Sequence, residues 1–254
     1  MDAHKSSSLG LPGAVIIAGA IIAVAIIWTH KPTTVAAPVS PAAAALTDQT
    51  DIPPVTAADH IWGNPNAPIK IVEYSDPSCP YCKMFQPVVK QIMDQYGPGG
   101  QVAWVYRHFP MDKPGTRSDG GILHPNSGHE AEAFECAASL GGNTVFWNFV
   151  NAFYAATPSV TNTSPNGLDQ TKIPAIGKSV GLDAVSFSDC IASNQFKDKI
   201  EKQYLSGINA GISGTPYSVI MTPSGSKIPL IGYVPYNTVK QAIDTLISGL
   251  NGAQ

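Results

Sequence analysis

"IKIVEYSDPSCPYCKMFQPVVKQIMDQY", residues 69–96, is the stretch whose reading decides the fold. Its first six residues are β-branched or aromatic at most positions, which suits a strand. From Cys79 onward Met84, Val88, Ile92 and Met93 recur at helical spacing, so 79–96 reads as a helix, with Pro87 as a place where it can kink. Pro80 suits the first helical position, where its fixed φ helps and its missing N–H is not needed. "QVAWVYRHF" (101–109) is a second strand and completes a β–α–β unit.

Helical patterning follows over 129–140, 144–156, 169–180, 183–193 and 195–210. Then "YSVIMT" (217–222), a "PSGS" turn and "KIPLIG" (227–232) read as a hairpin, and "YNTVKQAIDTLISGL" closes as an amphipathic helix. The order βαβ, helices, ββα predicts an α/β fold: one mixed sheet with a helical subdomain inserted at about 118–211.

Working outward, residues 1–8 form a short tail, and Leu9 to Trp28 carry no charge. As a helix that segment is about 30 Å long, the thickness of a hydrocarbon core, so it reads as a transmembrane anchor. A cleaved signal peptide is the alternative, since Ala43–Ala45 resembles a cleavage site, but the apolar run is long for one. Residues 29–56 are rich in Ala, Pro and Thr without periodicity and read as a linker, leaving 57–254 as the globular domain. Either reading of 9–28 places an exported domain outside the cytoplasm. A net charge of −3 with no basic cluster argues against nucleic-acid binding.

Cys79 and Cys82 can be a redox pair, half of a metal site or a structural disulfide. A metal site needs two more ligands, and Cys136, Cys190, His124 and His129 form no partner pair with the CxxC, so no metal is expected. The strand-to-helix position favours redox chemistry. There the Cys79 thiol lies over unpaired helix N–H groups and the positive end of the dipole, which stabilise a thiolate. Cys82, one turn on, faces the same side and can resolve a mixed disulfide made by Cys79. Glu73, in what should be a central strand, can pass a proton to and from Cys82, unless the strand edge is solvated there. Asp76 reads as a turn or helix-start residue. His108 reads as a hydrogen-bonded structural histidine, His124 and His129 as loop and helix-start residues. Trp104, Phe146, Trp147, Phe149 and Phe153 read as core.

"GNPNAPIKIVEYSDPSCPYCKMF", "VYRHFPM" and "GISGTPYSVI", in this order and spacing, resemble the DsbA-like thiol–disulfide oxidoreductases of the thioredoxin superfamily, from about Asp59 to the last helix. The resemblance implies a thioredoxin-like fold with a helical insertion. It implies that Cys79 is the nucleophile, Cys82 the resolving cysteine and Glu73 the acid beneath them, with Pro80 and Tyr81 as the dipeptide between. It implies that Thr215 and a cis Pro216 face the cysteines and bind substrate backbone. It also implies a structural Cys136–Cys190 disulfide, which four cysteines in an oxidising compartment would allow, two separate buried thiols being the alternative. Pro77–Ser78 departs from the aromatic residues common before the first cysteine.

The expectation is a membrane-tethered, extracytoplasmic, monomeric dithiol oxidase with no cofactor beyond its own disulfide. Its partners would be reduced substrate proteins and a membrane protein that recharges it. A disulfide reductase or isomerase is one alternative. A tethered binding or chaperone module without turnover is another, which intact Cys79, Cys82 and Pro216 argue against.

Overall fold

The structure, a computed structural model, describes residues 51–158 and 167–252. The tail 1–8, the expected anchor 9–28 and the linker up to residue 50 lie outside the described residues. Among those described, no helix is long and apolar enough to cross a membrane.

Five strands form one sheet in the order β1-β3-β2-β4-β5: β1 is His60–Gly63, β2 Ile69–Ser75, β3 Val102–His108, β4 Tyr217–Met221 and β5 Lys227–Ile231. β2 and β3 run parallel, joined by helix α1 (Pro80–Tyr96), and the other neighbours are antiparallel. The insertion consists of α2 (Ser127–Ala156), a 3₁₀ turn (Gln170–Lys172), α3 (Ile173–Ser179), α4 (Ala184–Ser193) and α5 (Lys197–Asn209); α6 (Tyr236–Gly252) closes the chain. This is the expected thioredoxin-like α/β order with its helical insertion.

β2 and β3 are almost continuously buried because helices cover both faces of the sheet. Alternation sends Ile69 and Ile71 to one face, with Trp104, Tyr106 and the α1 residues Phe85, Val89 and Ile92; Val72, Tyr74 and Val105 go to the other, with Phe109 and Ile212. Glu73 shares the first face by the same parity. Gly207 lets α5 approach that second layer closely, since a Cβ there would meet the Phe109 ring at 2.7 Å.

Three local readings change. Met84 is exposed, because the buried stripe of α1 runs Cys82, Phe85, Val89, Ile92, Met93. The helix continues through Pro87, which faces solvent. The stretch read as linker ends early: Ile52 is 1% exposed, and Arg107 on β3 donates to the carbonyls of Pro53 (3.0 Å) and Pro54 (2.9 Å). A buried guanidinium needs acceptors, and this unpatterned segment supplies them. The expected break between the helical stretches 129–140 and 144–156 is present: α2 is two helical stretches that meet at Gly142, whose non-helical φ of 76° and ψ of −176° suit glycine. β1 escaped detection because it has four residues and no alternation of its own.

Candidate active site

Cys79 is the N-cap of α1, in extended conformation, with no side chain capping the helix and no acid in its first turn. The thiol therefore lies at the positive end of the helix, and it also donates to the Thr215 carbonyl at 3.4 Å. Thr215–Pro216 is a cis peptide bond immediately before β4, so β4 brings this loop to the cysteine. Both Cys79 and Cys82 are free thiols, and Cys82 is completely buried one turn into the helix.

The two sulfurs are electrostatically unequal. Hydrogen bonding from Cys82 draws Cys79 down to about 7, against burial and the nearby Asp76 charge, with the Thr215 contact and the Cys82 backbone helping. Burial drives Cys82 well up, and Cys79 and Glu73 push the same way. A thiolate is therefore stable on Cys79 and unstable on Cys82.

Glu73 lies in the central strand β2 and is completely buried, so the solvated-edge alternative is set aside. Burial raises its carboxyl to about 7, more than the Ser75 hydroxyl and the Trp104 indole lower it. Trp104 Nε1 donates to Oε2 at 3.0 Å, while Oε1 has no hydrogen-bond partner among the described residues and is the oxygen placed to carry a proton.

A second polar group surrounds Cys79. Asp76 is more than a turn residue: Oδ1 accepts the Ser78 N–H at 2.7 Å, and Oδ2 accepts the Met111 N–H at 2.8 Å and meets His124 Nδ1 at 2.8 Å. The Ser78 hydroxyl donates to Glu130 Oε2 at 2.5 Å, and Gln170 donates to Oε1 at 2.7 Å. Burial lifts Glu130 to about 7 in spite of those bonds. Sequence reading passed over Ser78, Glu130 and the depth of His124. "SDPSC" hinted at Asp76, but no spacing in the chain connects His124 or Glu130 to it.

The chain thus brings together Cys79, Cys82, Glu73, Thr215 and Pro216. Pro80 sits at the first position of α1, and Tyr81 is 55% exposed beside the cysteines. Cys136 on α2 and Cys190 on α4 are joined by a disulfide with Cα atoms 5.8 Å apart, inside the insertion and separate from the CxxC. His108 Nε2 donates to Glu135 Oε1 (3.0 Å), a structural contact as expected, and the five aromatic residues read as core are buried. His129 is exposed in the first turn of α2. Among the described residues no cluster of three or more His, Cys, Asp or Glu is arranged to hold a metal.

A family model described as "Thioredoxin" matches residues 56–222. Among solved structures, DsbA2 of Pseudomonas aeruginosa is 27% identical with a TM-score of 0.57, the match covering 76% of this chain and 97% of that one. The α-DsbA1 of Wolbachia pipientis is 24% identical with a TM-score of 0.64, covering 80% and 97%, a likeness of fold. Among curated proteins, the Na(+)/H(+) antiporter NhaA 3 of Salinispora tropica is 27% identical over 158 residues, which is 62% of this chain and 21% of that protein. The chain therefore spans about a fifth of the length of that relative.

Proposed function

The chain belongs to the thioredoxin family and is a DsbA-like thiol–disulfide oxidoreductase, and from that premise we propose that it acts as a dithiol oxidase on exported proteins. The observation that carries this reading is the placement of Cys79 at the N-terminus of α1 against the carbonyl of the cis Thr215–Pro216 bond, with Cys82 completely buried one turn further on. The more the Cys79 thiolate is stabilised, the more oxidising the couple becomes, and at a pKa of about 7 that stabilisation is modest.

The exchange then runs in two steps. A substrate thiolate attacks Cys79 Sγ of the oxidised pair, the Cys79–Cys82 bond breaks, and its electron pair goes to Cys82, which takes a proton from Glu73. A second substrate thiolate attacks the substrate sulfur of the mixed disulfide, and Cys79 leaves as a thiolate. The substrate loses two electrons and gains a disulfide; the CxxC pair gains both. Thr215 and Pro216 would hold the substrate backbone beside Cys79. No group beyond the protein disulfide is required. A membrane redox protein would reoxidise the pair, with residues 9–28 tethering the monomeric domain on the extracytoplasmic side.

A disulfide reductase or isomerase remains the second reading, and a specific observation favours it: a thiolate with pKa of about 7 is also what reducing thioredoxins carry. The reduction potential decides. An oxidase should equilibrate with glutathione near or above ~−180 mV, whereas a value near ~−270 mV would sink the oxidase reading. Cys79→Ser should abolish disulfide formation in reduced substrate proteins, and Cys82→Ser should accumulate mixed disulfides.

A further inference from the structure

Asp76 touches both active-site cysteines through its backbone and a histidine through its side chain. Its N–H donates to Cys82 Sγ at 3.4 Å, and its carbonyl accepts from the Cys79 N–H at 3.0 Å and from the Tyr154 hydroxyl at 3.2 Å. Its carboxylate is fully buried, and its side-chain partner among the described residues is the His124 ring, itself 7% exposed. The backbone holds His124 from two sides: its N–H donates to the Met111 carbonyl at 3.0 Å, and its carbonyl accepts the Ser127 N–H at the start of α2. A buried carboxylate beside a thiolate disfavours that thiolate unless a cation offsets it.

We propose that His124 is a positioning residue of the thiol-exchange site, acting through Asp76: as an imidazolium bonded to Oδ2 it offsets the carboxylate's field on Cys79 and fixes the loop that holds both sulfurs, and so sets how oxidising the couple is. The charged or titratable groups facing His124 are Asp76, Cys79 and Glu130. Burial works against the imidazolium, but the Asp76 hydrogen bond and charge outweigh it and raise the ring above its ordinary value, with Cys79 and Glu130 adding to the rise. The Asp76 carboxylate's other bonds are to the neutral N–H groups of Ser78 and Met111, so among the described residues His124 is the side chain that can set a cation on it.

The proposal rests on Cys79 being the exchange nucleophile, and the test separates the two. The full-length reduced chain in detergent is titrated by thiolate absorbance near 240 nm, with Cys79→Ser as the blank, and its equilibrium with glutathione is measured in parallel. If Cys79→Ser removes no low-pH transition, the nucleophile reading fails and this one with it. If the transition belongs to Cys79, His124→Leu should move it up by about one unit and, at pH 7 where the parent thiol is about half ionised, reduce the equilibrium constant for oxidising glutathione about twofold, ~9 mV for a two-electron couple. Asp76→Asn should move the transition the other way, and His124→Leu added to Asp76→Asn should have no further effect. A full His124→Leu shift in the Asp76→Asn background would overturn the proposal, because His124 would then act without Asp76. An unchanged transition with only a lower melting temperature would overturn it too, leaving His124 a packing residue. Should His124→Leu not fold, His124→Gln keeps an N–H donor but loses the charge, and the same upward shift is expected of it.

Discussion

Glu73 places a carboxyl where there is no water to solvate its charge, and the protein's stability must record it. Its folded pKa, about 7, lies above the 4.5 of the unfolded chain, so between those values the folded state binds more protons than the unfolded one. Folding stability falls as pH rises through that window, by up to roughly 3 kcal/mol once the carboxyl is ionised. Glu73→Gln should remove this loss, so that above pH 7 the variant melts higher than the parent while the two converge near pH 4.5. It should also slow exchange by about 10²-fold, the usual worth of a positioned general acid or base, because Cys82 loses its proton donor. Thermal melts across pH with stopped-flow oxidation of a dithiol check both; a variant that melts no higher above pH 7 would mean the acid is solvated. At this scale Glu73 could be picked out by its place in an apolar strand. His124 could not, because its partner lies 48 residues away and only the folded loop brings them together.

The elements were more legible than the contacts between them. β2, β3, β4, β5 and the helices announce themselves through β-branched runs and helical spacing, since each has a face to bury. β1 did not, because its role is to pair with β3 at the sheet edge, a tertiary fact that four residues do not encode. The orientation of α1 was read partly wrong at Met84 for a similar reason: one turn offers two plausible faces, and the sheet chooses. Within the insertion, the Cys136–Cys190 disulfide ties α2 to α4 across 54 residues of sequence. Replacing both cysteines by serine should lower stability by about 4 kcal/mol on the loop-closure model. The Cys79 thiolate titration should stay where it is, since neither disulfide cysteine is among the groups that shift Cys79. Chemical denaturation of the double variant measures the first, and a moved thiolate transition would mean that the insertion reaches into the redox site.

Across the whole molecule, sheet and insertion are pinned by a buried charge cluster. Glu135 on α2 meets His60 on β1 and His108 on β3 at 3.0 Å, and Lys199 on α5 at 2.8 Å. Burial would raise the Glu135 carboxyl, but His108 and His60 outweigh it and hold the group well below its ordinary value. Burial holds His108 below its own. Both shifts have one sign for stability: a depressed carboxylate contributes above pH 4.5 and a buried neutral histidine above pH 6.5, so both contributions fade on acidification. Glu135→Leu should cost about 1–3 kcal/mol at neutral pH, as the buried His60 and His108 rings lose their acceptor, and should flatten the part of the acid limb below pH 4.5. Urea titrations at several pH values read both, and an unaltered acid limb would assign the acid sensitivity elsewhere. Arg107 gives the whole molecule a mechanical property as well. The chain enters through Ile52 to Pro54, and Arg107 clasps it there with help from Asp59 and from Lys227 on β5. A force applied to the chain ahead of Asp51 would therefore be met first by Arg107 on β3 and Lys227 on β5, before it reached α1 and the two sulfurs.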